Sequence, residues 1–428
     1  MDRYEQYKDS GDNWLGKRPS HWELTKLKFC AIISPKNGEI DIAPETLVSF
    51  TPMENIKDGF YIPCNKKYVN FKNNSQYTEY QEGDIAFAKV TPCFENNNIA
   101  IMNGLANGIG YGSSELFILR ATAVDTKFLF YLLQTASFKA QGCASMTGAA
   151  GLKRVSSDMV KNYQFGKPSI EEQKAIAAYL DSEVSKIDEA IKQQQKMIEL
   201  LNERRQIIIS EAVTKGVNPD VKKANNNVEE IGLIPEHWLL RKFKRVAKVQ
   251  ANLVSPKRYS DLPQVAPENI EKGTGKLLEY TTVSESGVIS DNHLFHAGQI
   301  IYSKIRPSLN KLIIAPFDGL CSADMYPITT SMNVRFLYYY MLSKPFVTQV
   351  NKVVMDRVKM PKINKEELSL IYVLVPPVKE QEDIINYLDN RLKSLDMTIA
   401  RCKNITDRLT ERKRIIINEA VTGKIKVL

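Results

Sequence analysis

The sequence predicts an α+β protein in which two similar mixed α/β domains, in a pseudo-two-fold arrangement, are separated by two long helices that form an antiparallel coiled coil. Two observations carry this prediction. A stretch with helical periodicity occurs twice, at residues 169–214 and 377–422, and the copies align without a gap at an offset of 208 residues. The globular part before each copy also opens with the same short motif. An internal repeat of this kind indicates that the chain is built from two copies of one structural unit.

Both copies are predicted to be long helices because their apolar residues follow the 3-4 spacing of a coiled-coil seam. The predicted seam residues are Leu180, Val184, Ile187, Ile191, Ile198, Leu201 and Ile208 in the first copy and Leu388, Leu392, Leu395, Ile399, Leu409 and Ile416 in the second. Polar or small residues interrupt the seam at matching places, Gln194 with Cys402 and Arg205 with Lys413. Polar seam residues commonly fix register. Each helix could alternatively serve only for dimerisation, but two copies in one chain can pair with each other.

Helix start and stop signals divide the chain into six segments. Ser169 and Glu172 form a capping box, Pro377 suits a first helical turn, and Gly216 and Gly423 suit the two ends. The predicted segments are a first globular domain (1–168), a first long helix (169–216), a polar linker (217–230), a second globular domain (231–376), a second long helix (377–424) and a tail (425–428).

The formal net charge of +9 lies outside the two helices. Residues 169–216 contain 7 basic and 9 acidic side chains, and residues 377–424 contain 10 basic and 8 acidic side chains, so the helices are neutral together. A basic surplus in the globular domains suggests a polyanionic partner, most simply nucleic acid. The alternative is that this charge only keeps a large protein soluble.

Composition also suggests a compartment. Six cysteines are scattered without a C-x-x-C pair, which is typical of reduced thiols. No apolar run approaches the roughly 18 residues that a membrane span needs, and the N-terminal stretch lacks a signal-peptide core. We therefore expect a cytoplasmic protein with no membrane partner.

The two globular domains share landmarks along the chain. Each opens with a histidine–tryptophan pair, His21-Trp22 and His237-Trp238, and we expect the aromatic ring to pin the start of the domain against its core. Each domain then has a glycine turn and an apolar strand that ends at a basic residue and a proline, within residues 82–92 and 297–307. A short helix, a basic segment and another strand lead into the long helix.

Polar and basic residues that follow these landmarks are the types that read base edges or bind phosphates. The candidate DNA-binding residues are Lys89, Thr91, Asn96, Asn97, Asn98, Lys153 and Arg154 in the first domain and Lys304, Arg306, Asn310, Lys311, Arg357, Lys359 and Lys362 in the second. For each residue alone, a solvated loop is the alternative explanation, so the clusters carry more weight than their members.

Sequence motifs for catalysis are missing. The chain has no Asn-Pro-Pro-aromatic methyltransferase motif and no Walker A sequence, and the glycine-rich residues 108–112 lack the strand-to-helix context of a dinucleotide site. His293 and His296 have the spacing of metal ligands but no third ligand nearby. The sequence therefore predicts no catalytic residue and no metal site.

Four motifs recur in the same order in both halves. They are P-x-H-W at the start of each domain, G-[DQ]-I before the strand, E-Q-x-x-I-x-x-Y-L-D at the start of each helix, and E-A-V-T near the end of each helix. This duplicated order resembles the specificity (S) subunit of type I restriction–modification enzymes, over nearly the whole chain from about residue 15 to residue 424.

The resemblance implies a non-catalytic DNA-binding role. Each globular domain would be a target recognition domain that reads one half of a bipartite, asymmetric sequence in double-stranded DNA. The helices would form the spacer and dock two methyltransferase (M) subunits, and restriction (R) subunits would join through the core that two M subunits form with this chain. S-adenosylmethionine, ATP and Mg would bind the partner subunits and none would bind this chain. The alternative from the residues alone is a structural coiled-coil adaptor whose basic domains bind proteins.

Overall fold

The computed structural model describes residues 2–11, 14–35, 43–68, 76–149, 151–357 and 360–427. The chain forms two compact units, the first containing residues 1–194 and 404–428 and the second containing residues 195–403. Each unit combines one globular domain with part of each long helix. The predicted α+β class, with two domains and two long helices that pack together, is confirmed. None of the described helices has the length and apolar character needed to cross a membrane.

Within its described residues, the first globular domain contains two four-stranded sheets. Its described strands are β1 (Tyr7–Asp9), β2 (Lys17–Pro19), β3 (Glu23–Lys26), β4 (Ala31–Ile33), β5 (Leu47–Thr51), β6 (Cys64–Lys67), β7 (Tyr77–Gln81), β8 (Ile85–Ala88), β9 (Ile99–Ile101), β10 (Ile109–Ser113), β11 (Leu116–Ala121), β12 (Thr147–Ala149), β13 (Leu152–Arg154) and β14 (Gln164–Lys167). The sheet orders are β4-β11-β8-β9 and β6-β5-β10-β7. All four residues of β8 are buried, as a strand covered on both faces requires.

Three short helices follow in the chain before the first long helix, with strands between some of them. The short helices are α1 (Thr126–Leu132), α2 (Ala136–Ala144) and α3 (Ser157–Asn162), and the long helix is α4 (Ile170–Lys215). Helix α1 begins where Asp125 accepts hydrogen bonds from the backbone N–H groups of Lys127 and Phe128, a normal N-terminal cap. Its apolar side chains join a core that also contains Trp22 and residues of both long helices.

The second globular domain repeats this plan with different strands. The strands are β15 (Lys223–Ala224), β16 (Ile234–Pro235), β17 (Leu239–Lys242), β18 (Ala247–Val249), β19 (Leu253–Val254), β20 (Pro263–Val265), β21 (Thr281–Thr282), β22 (Asn292–Phe295), β23 (Ile300–Ser303), β24 (Leu312–Ile314), β25 (Gly319–Cys321), β26 (Met325–Thr330) and β27 (Tyr372–Val375). Its helices are α5 (Val283–Ser286), α6 (Val334–Leu342), α7 (Lys344–Val354), α8 (Lys365–Leu370) and the long helix α9 (Val378–Val421). The sheet order β18-β26-β23-β24 matches β4-β11-β8-β9, and a five-stranded sheet replaces the other four-stranded sheet.

A carboxylate near the start of each long helix explains the repeated histidine–tryptophan pair. In the first unit, the Trp22 indole Nε1 donates to Glu172 Oε1 at 3.0 Å, and His21 Nε2 lies 3.2 Å from Glu172 Oε2. In the second unit, Trp238 donates to Glu380 at 2.9 Å. The expectation that this aromatic pins the start of each domain against its core is confirmed, since both tryptophans are buried.

The glutamine after each of these glutamates ties the helix start to the short helix of its own domain. Gln173 Oε1 accepts from the backbone N–H of Asp125 at 2.7 Å, and Gln381 Oε1 accepts from that of Asn333 at 3.0 Å. Since Asp125 and Asn333 are the N-caps of α1 and α6, one amide side chain links the two helix starts in each unit.

The aspartate two turns further along the long helix completes this attachment. Asp181 accepts from the Tyr131 hydroxyl at 2.8 Å and pairs with Lys127, and Asp389 accepts from the Tyr339 hydroxyl at 2.9 Å and pairs with Arg335. The E-Q and Y-L-D parts of the repeated motif therefore attach each globular domain to its helix.

The two long helices run antiparallel within each unit. In the first unit the start of α4 packs with the end of α9 in one core, and in the second unit the end of α4 packs with the start of α9. Buried or half-buried seam residues are Leu180, Val184, Ile187, Ile191, Ile198, Leu201, Ile208, Leu388, Leu392, Leu395, Ile399, Leu409 and Ile416. At the helix ends Ile209 and Ile417 are the most buried isoleucines, one position after the predicted Ile208 and Ile416.

The two basic residues that interrupt the seam are paired with acids on the opposite helix. Lys413 Nζ lies 3.0 Å from Asp188 Oδ1 in the first unit, and Arg205 pairs with Asp396 in the second. Asp396 is the repeat equivalent of Asp188, and Lys413 is that of Arg205. Each unit therefore contains the same ion pair with the two helices exchanged, which satisfies a buried charge.

Replacing Trp22 by phenylalanine should lower the free energy of unfolding by about 1–3 kcal/mol, because Glu172 loses a donor at a buried site. Urea unfolding followed by circular dichroism measures this change. The matched control is Trp14→Phe, at a tryptophan that is 53% exposed, with an expected cost below about 0.5 kcal/mol. Equal costs at the two positions would show that neither the hydrogen bond to Glu172 nor the burial of the Trp22 ring adds to stability.

Candidate nucleic-acid interface

In the first unit, the structure brings two of the predicted clusters together. Strand β8 ends next to Lys89, and the residues from Lys89 to Thr91 pair with the end of β13. The backbone N–H of Thr91 donates to the carbonyl of Lys153 at 3.0 Å, and that of Val155 donates to the carbonyl of Lys89 at 2.8 Å. Lys89, Thr91, Lys153 and Arg154 therefore lie on adjacent backbone segments, although about 60 residues separate the two segments in sequence.

The second unit has the same arrangement. The backbone N–H of Arg306 donates to the carbonyl of Pro361 at 2.8 Å, and that of Ile363 donates to the carbonyl of Lys304 at 3.0 Å. This pairing places Lys304, Arg306 and Lys362 side by side. Lys359, another candidate, lies outside the described residues.

Several of the basic candidates already contact groups of their own domain. Arg154 forms a two-pronged pair with Glu115, with Nη2–Oε1 at 2.5 Å and Nε–Oε2 at 2.9 Å. These hydrogen bonds lower the pKa of Glu115. Arg357 pairs with Glu367 and donates to the carbonyl of Lys362.

Two lysines of the second domain donate to backbone carbonyls. Lys304 Nζ donates to the carbonyl of Ala323 at 2.6 Å, and Lys311 Nζ donates to that of Pro267 at 2.7 Å. Both side chains are half-buried. They order neighbouring loops, so their charges reach the surface less freely than those of exposed lysines.

The exposed candidates are Lys153, Arg306, Lys362 and Asn96, together with Arg154. Arg306 has a φ of +44°, which is uncommon for a residue with a side chain. A short 3-10 turn follows at Pro307–Leu309, and Asn310 closes it with a φ of +43°. Arg306 is thus an exposed residue between the end of β23 and this turn.

The asparagine candidates have mainly structural positions. Asn97 Nδ2 donates to Gln134 Oε1 at 3.0 Å and also contacts Asp58. Asn310 is 5% exposed, and its Nδ2 donates to the carbonyl of Met341 at 3.1 Å. Asn98 is half-buried and its carbonyl accepts from the backbone N–H of Ala88. This geometry does not favour base reading by Asn97, Asn98 or Asn310.

Sequence reasoning missed the acidic residues of this surface. Glu115 pairs with Arg154, and Asp58 contacts Asn97 as well as the long helix α9. A sequence pattern of basic and amide residues does not indicate which carboxylates pair with them in the folded chain. One signal was available: Asp58 closely follows Glu54-Asn55-Ile56, which the second domain repeats as Glu268-Asn269-Ile270.

The described residues offer no cluster suited to a metal. No group of three or more histidine, cysteine, aspartate or glutamate side chains within them could hold such an ion. His293 is buried on β22, and His296 Nδ1 lies 3.0 Å from Asp318 Oδ2. Burial lowers the pKa of His293, and the charge of Lys304 lowers it further.

Comparisons with known proteins agree with this architecture. Residues 38–200 and 235–407 match the family model described as the type I restriction modification DNA specificity domain. The type I restriction enzyme EcoDI specificity subunit of Escherichia coli is 31% identical over 315 residues, which covers 68% of this chain and 70% of that protein. The type I restriction enzyme MjaVIII specificity subunit of Methanocaldococcus jannaschii is 27% identical over 434 residues, covering 96% and 94% of the two chains.

A solved structure gives the same fold. A chain from a study of complex assembly and conformational transition of the type I R-M system superposes with a TM-score of 0.68 and 16% sequence identity. The superposition covers 95% of this chain and 99% of that chain. At this identity the likeness concerns the fold alone.

Proposed function

Because the chain belongs to the type I restriction–modification DNA specificity family, as the non-catalytic specificity subunit, we propose how its parts divide the work. Each globular domain reads one half of a bipartite, asymmetric target in double-stranded DNA. The helix pair sets the unspecified spacing between the half-sites and docks the methyltransferase subunits.

The observation that carries this proposal is the contrast between repeated contacts and different loops. Three residues of the first long helix make contacts that the second long helix repeats, namely Glu172, Gln173 and Asp181. The surface loops between these contacts have different residues. A common frame with two different reading surfaces is what a non-palindromic target requires, just as dimer symmetry mirrors a palindromic one.

Equivalent positions in the two loops differ in the chemistry they offer DNA. Lys89 and Lys304 directly follow the central strands β8 and β23, and the residue two positions later is Thr91 in the first domain and Arg306 in the second. Arginine suits guanine O6 and N7. The Thr91 hydroxyl, in contrast, already donates to the carbonyl of Gly151 at 2.9 Å and accepts from the backbone N–H of Lys153 at 3.1 Å. The lysines serve both domains alike, while the threonine and the arginine would distinguish the two half-sites.

The catalytic chemistry resides on partner subunits. We infer that S-adenosylmethionine binds the methyltransferase subunits and that ATP and Mg bind the restriction subunits. The outward faces of the long helices support docking, since Met197, Leu200 and Met397 are 47%, 48% and 67% exposed. A docked subunit would cover these apolar side chains.

Co-expression of this chain with a cognate methyltransferase subunit in a methylation-free host should produce one bipartite, asymmetric methylation motif with a fixed spacer. Single-molecule sequencing of the host DNA maps the modified bases. The methyltransferase without this chain is the control and should give no motif. A methyltransferase that binds this chain and is active, yet leaves no bipartite motif, would contradict the proposal.

Exchange of residues 231–376 for the corresponding segment of another family member should change one half of the motif and leave the other half intact. The reciprocal exchange of residues 1–168 should change only the other half. We expect both outcomes because the contacts between each domain and its helix are the same in the two repeats, whereas the residues of the surface loops differ. Sequencing as above measures the outcome, and a motif with both halves retained after either exchange would exclude separate reading.

The replacements Lys153→Ala and Lys362→Ala should each weaken DNA binding about equally on all sequences. Each should also reduce the slope of log affinity against log salt by about 1, because one phosphate contact is lost. Titrations of the assembled complex at several salt concentrations measure this slope. Lys161→Ala, at an exposed lysine of α3, is the matched control with an unchanged slope. Unchanged slopes in both test variants would remove these lysines from the interface.

A further inference from the structure

A chain of polar contacts links the loop after β8 to the second long helix in the first unit. Asn97 Nδ2 lies 2.5 Å from Asp58 Oδ1, and Asp58 Oδ2 lies 3.6 Å from Lys413 Nζ. Lys413 also contacts both carboxylate oxygens of Asp188, at 3.0 and 3.1 Å. The loop that carries the candidate Thr91 is thus connected to both helices of the pair.

Buried or half-buried groups surround these contacts. The Lys413 side chain is only 11% exposed, so its charge needs the two aspartates as partners. Asn97 has a φ of +61°, and its amide also donates to Gln134, which is 9% exposed. Nearby, burial lowers the pKa of Lys139 to about 8, against the opposing attraction of Asp58. Asp58 therefore lies close to two buried or half-buried lysines, Lys413 and Lys139.

The second unit makes the equivalent link through backbone groups. Asn310, which like Asn97 ends the loop after the central strand with a positive φ, accepts at its carbonyl from the N–H of Gly273 at 3.2 Å. The carbonyl of Gly273 accepts from Gln206 Nε2 on α4 at 2.8 Å. Gln206 follows Arg205, the seam residue that pairs with Asp396. Asp58 and Gly273 occupy corresponding loops, a few residues after the repeated Glu-Asn-Ile.

In both units the helix residue comes from the opposite repeat. Lys413 belongs to α9, which follows the second globular domain, yet it contacts the first domain through Asp58. Gln206 belongs to α4, which follows the first globular domain, yet it contacts the second through Gly273. Each of these two helix residues therefore contacts the globular domain of the other repeat.

We propose that these two links are braces that orient the DNA-reading loops, so that Asp58, Lys413 and Gln206 are positioning residues for target recognition. This proposal rests on the proposed function. The attachment at the start of the domain's own helix fixes one end of each globular domain. The brace fixes the other end of the domain. The attachment and the brace together set the angle at which Thr91 or Arg306 meets DNA. A loop that tilts still binds phosphates but loses discrimination between bases.

The test compares methylation motifs of variants in the complex with the methyltransferase subunit. Asp58→Ala should relax the half-site read by the first domain, with discrimination against single mismatches there falling about tenfold, while the other half stays intact. Gln206→Ala should relax only the half-site read by the second domain. The two half-sites are assigned by the exchange of residues 231–376, and circular dichroism checks that each variant is folded.

The helix position gives the sharpest outcome. Lys413→Met should relax the first half-site, although its helix belongs to the second repeat, and Lys413→Arg should restore discrimination. In the Lys413→Met background Asp58→Ala should add less than it does in the wild type, since both variants break the same contact between Asp58 and Lys413. Arg408→Ala, at an exposed residue of the same helix, is the control and should leave the motif unchanged.

The results separate the brace from the proposed function. A wild-type complex without any bipartite motif would overturn the proposed function. A wild-type bipartite motif that every brace variant preserves would overturn the brace alone, and so would equal relaxation of both halves by Asp58→Ala. If Asp58→Ala does not fold, Asp58→Asn removes the charge with the same shape and decides the question by the same criteria.

Discussion

Each globular domain is held to its long helix by a carboxylate near the helix start, and the packing of both elements follows from this attachment. In the first unit Glu172 accepts from an indole N–H and contacts a histidine, and the next residue, a glutamine, caps the backbone of a second helix. The hydroxyl of Tyr4 also donates to this carboxylate at 2.5 Å. Burial raises the pKa of Tyr4, and the hydrogen bond to Glu172 raises it further, so the phenol remains a donor. An unpartnered carboxylate at this depth would be costly, so these partners specify how the domain meets its helix.

The pairing of the long helices follows a second electrostatic rule. A coiled-coil seam of apolar residues alone tolerates sliding, whereas a basic residue in the seam must meet an acid on the opposite helix. Asp188 with Lys413 and Asp396 with Arg205 are the same pair with the helices exchanged. Burial lowers the pKa of Arg205, because the seam excludes water from the guanidinium. Register is therefore fixed in each unit by one buried charge.

The structure separates residues that build the frame from residues that face solvent. Repeated motifs account for the attachment of each domain to its helix, while the exposed loops at the ends of the central strands differ between the domains. Several charged candidates also order their own loops, as Arg154 does with Glu115 and Lys311 with the carbonyl of Pro267. A specificity subunit needs such order, because base reading depends on side chains held in place before DNA arrives.

The order of the residues was enough to predict the repeat, the two long helices with their polar seam positions, the succession of landmarks and the family. These features are local, since the 3-4 spacing, the caps and the glycine turns act within a few residues. The partners of each side chain, in contrast, depend on folding. Glu172 serves Trp22, 150 residues away, Asn310 is buried, and Lys413 reaches Asp58 of the other repeat. A lysine or asparagine has the same chemistry in a solvated loop and in a brace, and only the neighbours that folding brings to it distinguish the two.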